Sequence, residues 1–308
     1  MFIPYRVDVP FNHRPVVNWL IVITVVLIFA IQINELSEYT GKGRAGLQEY
    51  IQNSTTMQYM LKGWGIKGLF GYMWLHSGPI HLIGNLIFLW LFGNAVCSKI
   101  GNLYYLPVYV VLGVFAAVSH LLFSGGSAVG ASGAINGLVG MYLAFFPENE
   151  ISCFFFLIFY PIRFSVRSFW MILLWFAFDI LGAIYGLGRT AYYAHIGGFA
   201  AGFGLALLML KTKWITMEKD EKSILELLEY ERREKPEGLV EEVEYWQQEW
   251  KEREKLERKK SSLKLDDDPK NYIHLECRCG KRFKISRQYA GKICECPKCS
   301  ARWKVPGI

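Results

Sequence analysis

The sequence predicts an all-α polytopic membrane body of six transmembrane helices, followed by charged helices and a small β module. Three observations lead there. Residues 1–210 of the 308-residue chain hold only 10 of its 34 Lys and Arg and 7 of its 27 Asp and Glu, and the whole chain is 52% hydrophobic. That apolar body breaks into about six runs, each near the roughly 20 residues a spanning helix requires. Residues 211–308 carry the other 24 basic and 20 acidic residues, together with five of the seven cysteines. A membrane body with a soluble, charged tail follows.

In chain order, the spans fall near 16–34, 80–97, 103–123, 132–146, 168–187 and 192–210. The N-terminal stretch "MFIPYRVDVPFNHRPVVNW" has Arg6 and Arg14 but no cleavage-site pattern after the first apolar run, so span 1 reads as retained. The fourth span is short at its N-terminal end. The segment "ISCFFFLIFYPIRF" (151–164) is apolar but ends in Pro161 and Arg163, and reads as interfacial. Orientation follows from basic residues in short loops. With the N-terminus inside, the inner set is Arg6, Arg14, Lys99, Arg163, Arg167, Lys211 and Lys213. The outer set is Lys42, Arg44, Lys62, Lys67 and Arg189, and four of these share the long loop 35–79. The bias favours both termini on the cytoplasmic side.

Polar residues inside the spans fall in a pattern. His81 and Asn85 lie near the start of span 2, Ser132 opens span 4, and His195 is near the start of span 6. Spans 2, 4 and 6 run in the same direction, so the four groups share one depth, near the outer ends. A single buried Ser or His is more often helix–helix glue. Four converging on alternate helices read as a site, because intramembrane polar groups are costly and face the bundle interior. Gly198 and Gly202 follow His195 at i+3 and i+7, and span 4 carries Gly133 and Gly137. Such stripes let two backbones touch, which would bring the Ser132 hydroxyl to the His195 ring. His81 and Asn85, four apart on one helix face, could serve an oxyanion beside the Ser132 amide. Nucleophile, base and oxyanion donors make up the parts of acyl transfer, with a Ser–His dyad as the simplest model. Asp179 in span 5 is unexpected. It either reaches water or meets a partner such as the start of span 6, where a third catalytic member is the minor alternative.

The segments "HSGPIHLIGN" (76–85), "GASGAING" (130–137) and "AHIGGFAAG" (194–202) resemble the three signature segments of the rhomboid intramembrane serine proteases. The resemblance covers roughly residues 10–210. It implies a rhomboid-like six-helix bundle with Ser132 as nucleophile, His195 as general base, and His81 and Asn85 as oxyanion donors with the Ser132 amide. It places His76, Gly130 and Asn136 on the substrate side. Implied too are transmembrane protein substrates, cleaved near the outer face from a water-filled cavity within the lipid bilayer, and no cofactor for catalysis. The sequence departs from many relatives at Asn136, where an aromatic residue packs on the base; Asn136 either orients His195 or bonds a helix neighbour.

The tail divides into a charged helical segment (211–260), a linker (261–273) and a cysteine module (274–308). Two helices, 216–234 and 238–260, are expected around the break at Pro236 and Gly238. Leu239, Val243, Trp246 and Trp250 make a narrow apolar stripe, read as a short coiled coil or hairpin, with docking of a cytosolic protein partner as the alternative. "CRCGKRFKI" (277–285) and "CPKCSARWKV" (296–305) align after their last cysteine, so a knuckle and strand are duplicated. Paired knuckles converging on one tetrahedral ion build a zinc ribbon, with Cys277, Cys279, Cys296 and Cys299 as ligands of a structural Zn²⁺ and Cys294 as a substitute. The stretch resembles small bacterial zinc-ribbon modules. Cys97 and Cys153 read as packing residues.

Net charges of +3 for the body (10 against 7) and +4 for the tail (24 against 20) are spread out, so nucleic-acid binding is not indicated. The whole reads as an intramembrane serine endopeptidase with a cytoplasmic tail. The alternative is an inactive rhomboid-like protein that binds membrane clients; the presence of both Ser132 and His195 favours the enzyme.

Overall fold

A computed structural model describes residues 2–157, 160–188, 190–218, 221–234, 245–255 and 269–307. The chain divides into two compact units, Met1–Glu234 and Lys235–Ile308.

The first unit is built on six apolar helices: α1 (Val16–Thr40), α2 (Pro79–Ile100), α3 (Asn102–Phe123), α4 (Ser132–Phe145), α5 (Ser168–Tyr185) and α6 (Tyr192–Lys211). Five are long and apolar enough to cross a membrane. At 14 residues α4 is the exception, about 21 Å long at 1.5 Å per residue. It is also the most enclosed, with every residue from Gly137 to Phe145 buried. By contrast α1 and α5 leave Leu20, Ile23, Leu27, Trp170, Leu174 and Phe178 exposed, the pattern of helices whose outer faces meet lipid rather than water. A short helix sheathed by longer ones needs no lipid-spanning length of its own.

Two devices lock the bundle. In α2 the segment Leu89–Gly93 widens to a π-turn. There Asn18 of α1 donates to the Leu89 carbonyl (3.0 Å) and to Asn94 (2.7 Å), and Tyr105 of α3 donates to Asn18 (2.7 Å). The buried amide thus finds partners on α2 and α3, as a polar group in an apolar interior must. The second device is the contact of α4 with α6. A side chain on Gly198 would overlap the Gly133 carbonyl oxygen, and one on Gly202 would overlap that of Gly137. The two backbones touch, as the glycine spacing predicts.

The body is not wholly helical. β1 (Phe2–Val7), β2 (Glu150–Leu157) and β3 (Tyr160–Arg167) form an antiparallel sheet in the order β1-β2-β3. The segment expected to be only interfacial is a hairpin whose first strand also captures the chain's N-terminus. Its alternation is visible in hindsight: Ile151 and Cys153 are buried, while Ser152 meets Ser165 at 3.0 Å across β2–β3. The run of aromatics masked that period. Loop 35–79 is structured as well. It holds the short helices Gly43–Asn53, Thr55–Tyr59 and Ile66–Gly71, and Glu35 accepts from the Thr56 hydroxyl at 2.6 Å.

Lys99, near the end of α2, forms a buried ion pair with Glu221. Helix α7 (Ile224–Glu234) then starts with a capping box: the Ser223 N–H donates to Glu226 (2.8 Å) and the Glu226 N–H to the Ser223 hydroxyl (3.3 Å). The helix expected from 216 therefore begins at 224, because Ser223 caps it and Glu221 is turned back onto Lys99. Residues 211–218 and 221–234 belong to the same compact unit as the membrane body.

In the second unit residues 245–255 are helical, with Trp246 and Trp250 exposed. Leu239 and Val243 of the expected stripe lie outside the described residues, as do Arg189 and linker residues 261–268. Two antiparallel hairpins follow: β4 (Tyr272–Glu276) with β5 (Arg282–Ser286), and β6 (Ile293–Glu295) with β7 (Arg302–Lys304).

Candidate active site

Ser132 is the first residue of α4, and the backbone just before it is held rigidly. Ala128 and Leu61 exchange backbone hydrogen bonds (3.0 and 3.1 Å), and the Gly130 N–H donates to the Tyr72 carbonyl at 2.9 Å. Gly130 has φ +129°, which a side chain would strain, and a Cβ there would come 2.7 Å from the His81 ring. The ring therefore lies directly over bare backbone beside Ser132. The first intrahelical bond runs from Ile135 N–H to the Ala131 carbonyl. The amides of residues 132–134 precede it and are the free donors of a helix N-terminus.

The glycine contact between α4 and α6 has the expected consequence. Ser132 Oγ lies 2.9 Å from His195 Nε2, and both side chains are half-buried. On its other edge, His195 Nδ1 lies 3.0 Å from Asp179 Oδ1 of α5. Of the alternatives open for Asp179, the structure selects the partner at the start of α6. If the serine hydroxyl donates to Nε2, Nδ1 carries the ring proton and donates to the carboxylate. Tyr192, one turn before His195, sets its ring edge-on to the imidazole at 6.4 Å.

The remaining residues fall in a graded arrangement. His81 Nδ1 is 2.9 Å from the Ser77 hydroxyl, which leaves Nε2 as the ring atom toward Gly130 and Ser132. Asn85 donates to the His81 carbonyl at 3.0 Å, one of its two amide N–H groups being so engaged. His76 is 4% exposed, and its ring packs against His81 at 5.3 Å. Its backbone is held by Gln32 of α1, which accepts from the His76 N–H at 3.0 Å. That burial sets His76 behind His81 rather than on an open face. Asn136 donates to the Ser132 carbonyl at 3.0 Å; this local bond engages one of its amide N–H groups, because an asparagine four residues on reaches its own helix's carbonyl first.

The second unit carries a cysteine cluster. The sulfurs of Cys277, Cys279, Cys296 and Cys299 all lie within 4.8 Å of one another, with Cys277–Cys299 at 3.6 Å and Cys279–Cys296 at 3.7 Å. Four sulfurs at about 2.3 Å from a tetrahedral zinc would stand about 3.8 Å apart, so the donor set fits. The two knuckles also match in backbone. Gly280 and Ser300, each following the last cysteine of its knuckle, have φ +79° and +55°. Burial alone would raise the Cys296 thiol, but hydrogen bonds from the Lys298 and Cys299 backbones hold it down to about 7. Phe283 and Trp303, equivalent in the duplication, pack together at 5.5 Å. Cys294 lies on β6, outside this cluster of four. Cys97 and Cys153 are buried in the membrane body, as expected.

Residues 63–212 match the family model of the Rhomboid domain. RHOMBOID-like protein 2 of Arabidopsis thaliana is 33% identical over 150 residues, 48% of this chain and 43% of that protein. RHOMBOID-like protein 1 of the same plant is 30% identical over 143 residues, covering 46% and 34%. Rhomboid protease GluP of Bacillus subtilis (strain 168) is 28% identical over 129 residues, covering 42% and 23%. The chain thus matches less than half the length of these curated relatives.

Proposed function

Since the chain carries a rhomboid domain, we propose that it is an intramembrane serine endopeptidase that cleaves transmembrane protein substrates near the outer membrane face. The observation that carries this reading is the 2.9 Å contact of Ser132 Oγ with His195 Nε2 at the adjoining N-terminal ends of two apolar helices. His195 takes the hydroxyl proton as Oγ attacks the scissile carbonyl, then delivers it to the leaving amine. Water, activated by the same imidazole, releases the acyl group from Ser132. The Ser132 amide, the second N–H of Asn85 and His81 Nε2 serve the oxyanion. His76 holds the His81 ring in place, while Gly130 and Asn136 border the substrate's path beside Ser132.

The shortness of α4 supports an outer but submerged site. A helix of about 21 Å in a hydrocarbon core of about 30 Å leaves its N-terminal end several Å below one surface. The basic-residue bias supports that surface being the outer one, with both termini in the cytoplasm, and we read the membrane as a bacterial inner membrane. In the tail, Cys277, Cys279, Cys296 and Cys299 hold a structural Zn²⁺, whose four sulfur ligands leave no open position for chemistry.

The test is cleavage of a membrane-anchored reporter by purified protein in liposomes. Ser132→Ala and His195→Ala each abolish cleavage while leaving insertion intact, and a fluorophosphonate probe labels wild type at Ser132. Cleavage that persists in Ser132→Ala would overturn the reading.

A further inference from the structure

We propose that Asp179 is the positioning residue of a Ser132–His195–Asp179 triad, so that this chain works with three groups rather than a dyad; the inference rests on the protease reading above. Asp179 is the only charged residue between Ser168 and Tyr185. A carboxylate there is costly in an apolar span unless a partner repays it. Among the described residues its one polar contact is His195 Nδ1, at 3.0 Å. The side chains of Asp179 and His195 are only 18% and 13% exposed, so water screens the contact little.

The fold builds this contact rather than merely permitting it. α5 ends at Gly186 in the left-handed conformation (φ +62°), Gly188 repeats it (φ +69°), and α6 begins at Tyr192. The tight turn returns the start of α6 beside α5. Gly182, one turn after Asp179 on the same face, receives the Tyr192 ring, which any side chain at 182 would overlap. Tyr192 in turn stands edge-on to His195. The carboxylate, the bare glycine and the tyrosine therefore fix the imidazole from one side, while Ser132 meets it from the other.

The consequence is chemical. With Nδ1–H donated to Asp179, Nε2 keeps its lone pair directed at the Ser132 hydroxyl. When the Oγ–H bond breaks and Oγ bonds to the scissile carbonyl carbon, the proton goes to Nε2. The imidazolium so formed faces a carboxylate that stays ionised throughout. The other titratable groups near His195 are His81 of α2, His120 of α3 and Tyr192 of α6 itself. None of them is replaced by a substitution at 179, so they cannot mimic its effect.

The experiment compares wild type, Ser132→Ala, Asp179→Asn and Asp179→Glu in liposomes, reading reporter cleavage and fluorophosphonate labelling of Ser132 across pH. Asp179→Asn is expected to lower kcat about 10²–10⁴-fold with KM little changed. The acid limb of its rate profile moves to lower pH, because the imidazolium has lost its carboxylate. Asp179→Glu restores part of the rate. A purely structural ion pair would lower yield or thermal stability without moving the acid limb. Inactive Ser132→Ala beside an Asp179→Asn protein of wild-type rate and profile overturns the triad and leaves the protease reading standing. Active Ser132→Ala overturns both. Should Asp179→Asn fail to fold, nitrogen-15 NMR of histidine-labelled wild type decides: a proton on His195 Nδ1 at neutral pH supports the triad, and one on Nε2 overturns it.

Discussion

The membrane body and the cysteine module each gather residues far apart in sequence onto one point, and they do it by opposite means. In the body, Ser132, Asp179 and His195 come from three helices and meet because apolar surfaces and bare glycine backbones pack in register. The polar groups are guests of that packing. In the module, two hairpins of three to five residues per strand surround four sulfurs. A unit of about 40 residues buries too little apolar surface to fold on hydrophobic energy alone. On the proposed reading the sulfurs and a bound ion carry the stability there, and the aromatic pair Phe283–Trp303 adds to it. A polar cluster can thus be the product of a fold or its cause.

The largest expected effect tests the module's half of that contrast. Stripping the metal with a chelator removes a binding energy on the order of 10 kcal/mol in comparable zinc sites. It should abolish the module's folded circular-dichroism signal and its zinc content, yet leave Ser132 labelling unchanged. Metal affinity should also weaken as pH falls, because protons compete with the ion for the four cysteine thiolates. A module that folds equally well with chelator present would erase the comparison.

Next in size is Lys99–Glu221, the place where the body depends on a buried charge pair. Lys99→Ala leaves Glu221 buried without its partner and should cost about 3–5 kcal/mol in thermal unfolding in detergent. Replacing both, as Lys99→Met with Glu221→Leu, should recover most of that loss. Equal destabilisation by the single and the double change would show that charge, not packing, holds this end of the body.

The smallest of these changes in stability should still carry a large change in activity. Gly202→Ala places a methyl against the Gly137 carbonyl and should cost about 1–3 kcal/mol by overpacking. Because α4 and α6 must then separate, the Ser132–His195 contact opens, and cleavage should fall about 10²-fold. Normal cleavage with Gly202→Ala would mean the helix contact does not set the catalytic distance.

Much of this was legible in one dimension because its physics is local. Span number follows from runs of apolar residues, the α4–α6 contact from glycines at helical spacing, and the cysteine cluster from two matching knuckles. Ser132 and His195 stood out because a hydroxyl and an imidazole in apolar helices need a reason to be there. Asp179 carried the same signal, but its partner did not, since a carboxylate in a span reads equally as facing water or any neighbouring helix. Only the left-handed backbone at Gly186 and Gly188 and the seat of Tyr192 on Gly182 chose His195. The sheet that joins residues 2–7 to 150–157, and the pairing of Lys99 with Glu221, were decided the same way. Sequence by itself determined which residues are costly where they stand. Tertiary structure decided which of them share that cost: the β1–β2 pairing and Lys99–Glu221 join residues more than a hundred apart, Asp179 and His195 sit on different helices, and no local period encodes any of these contacts.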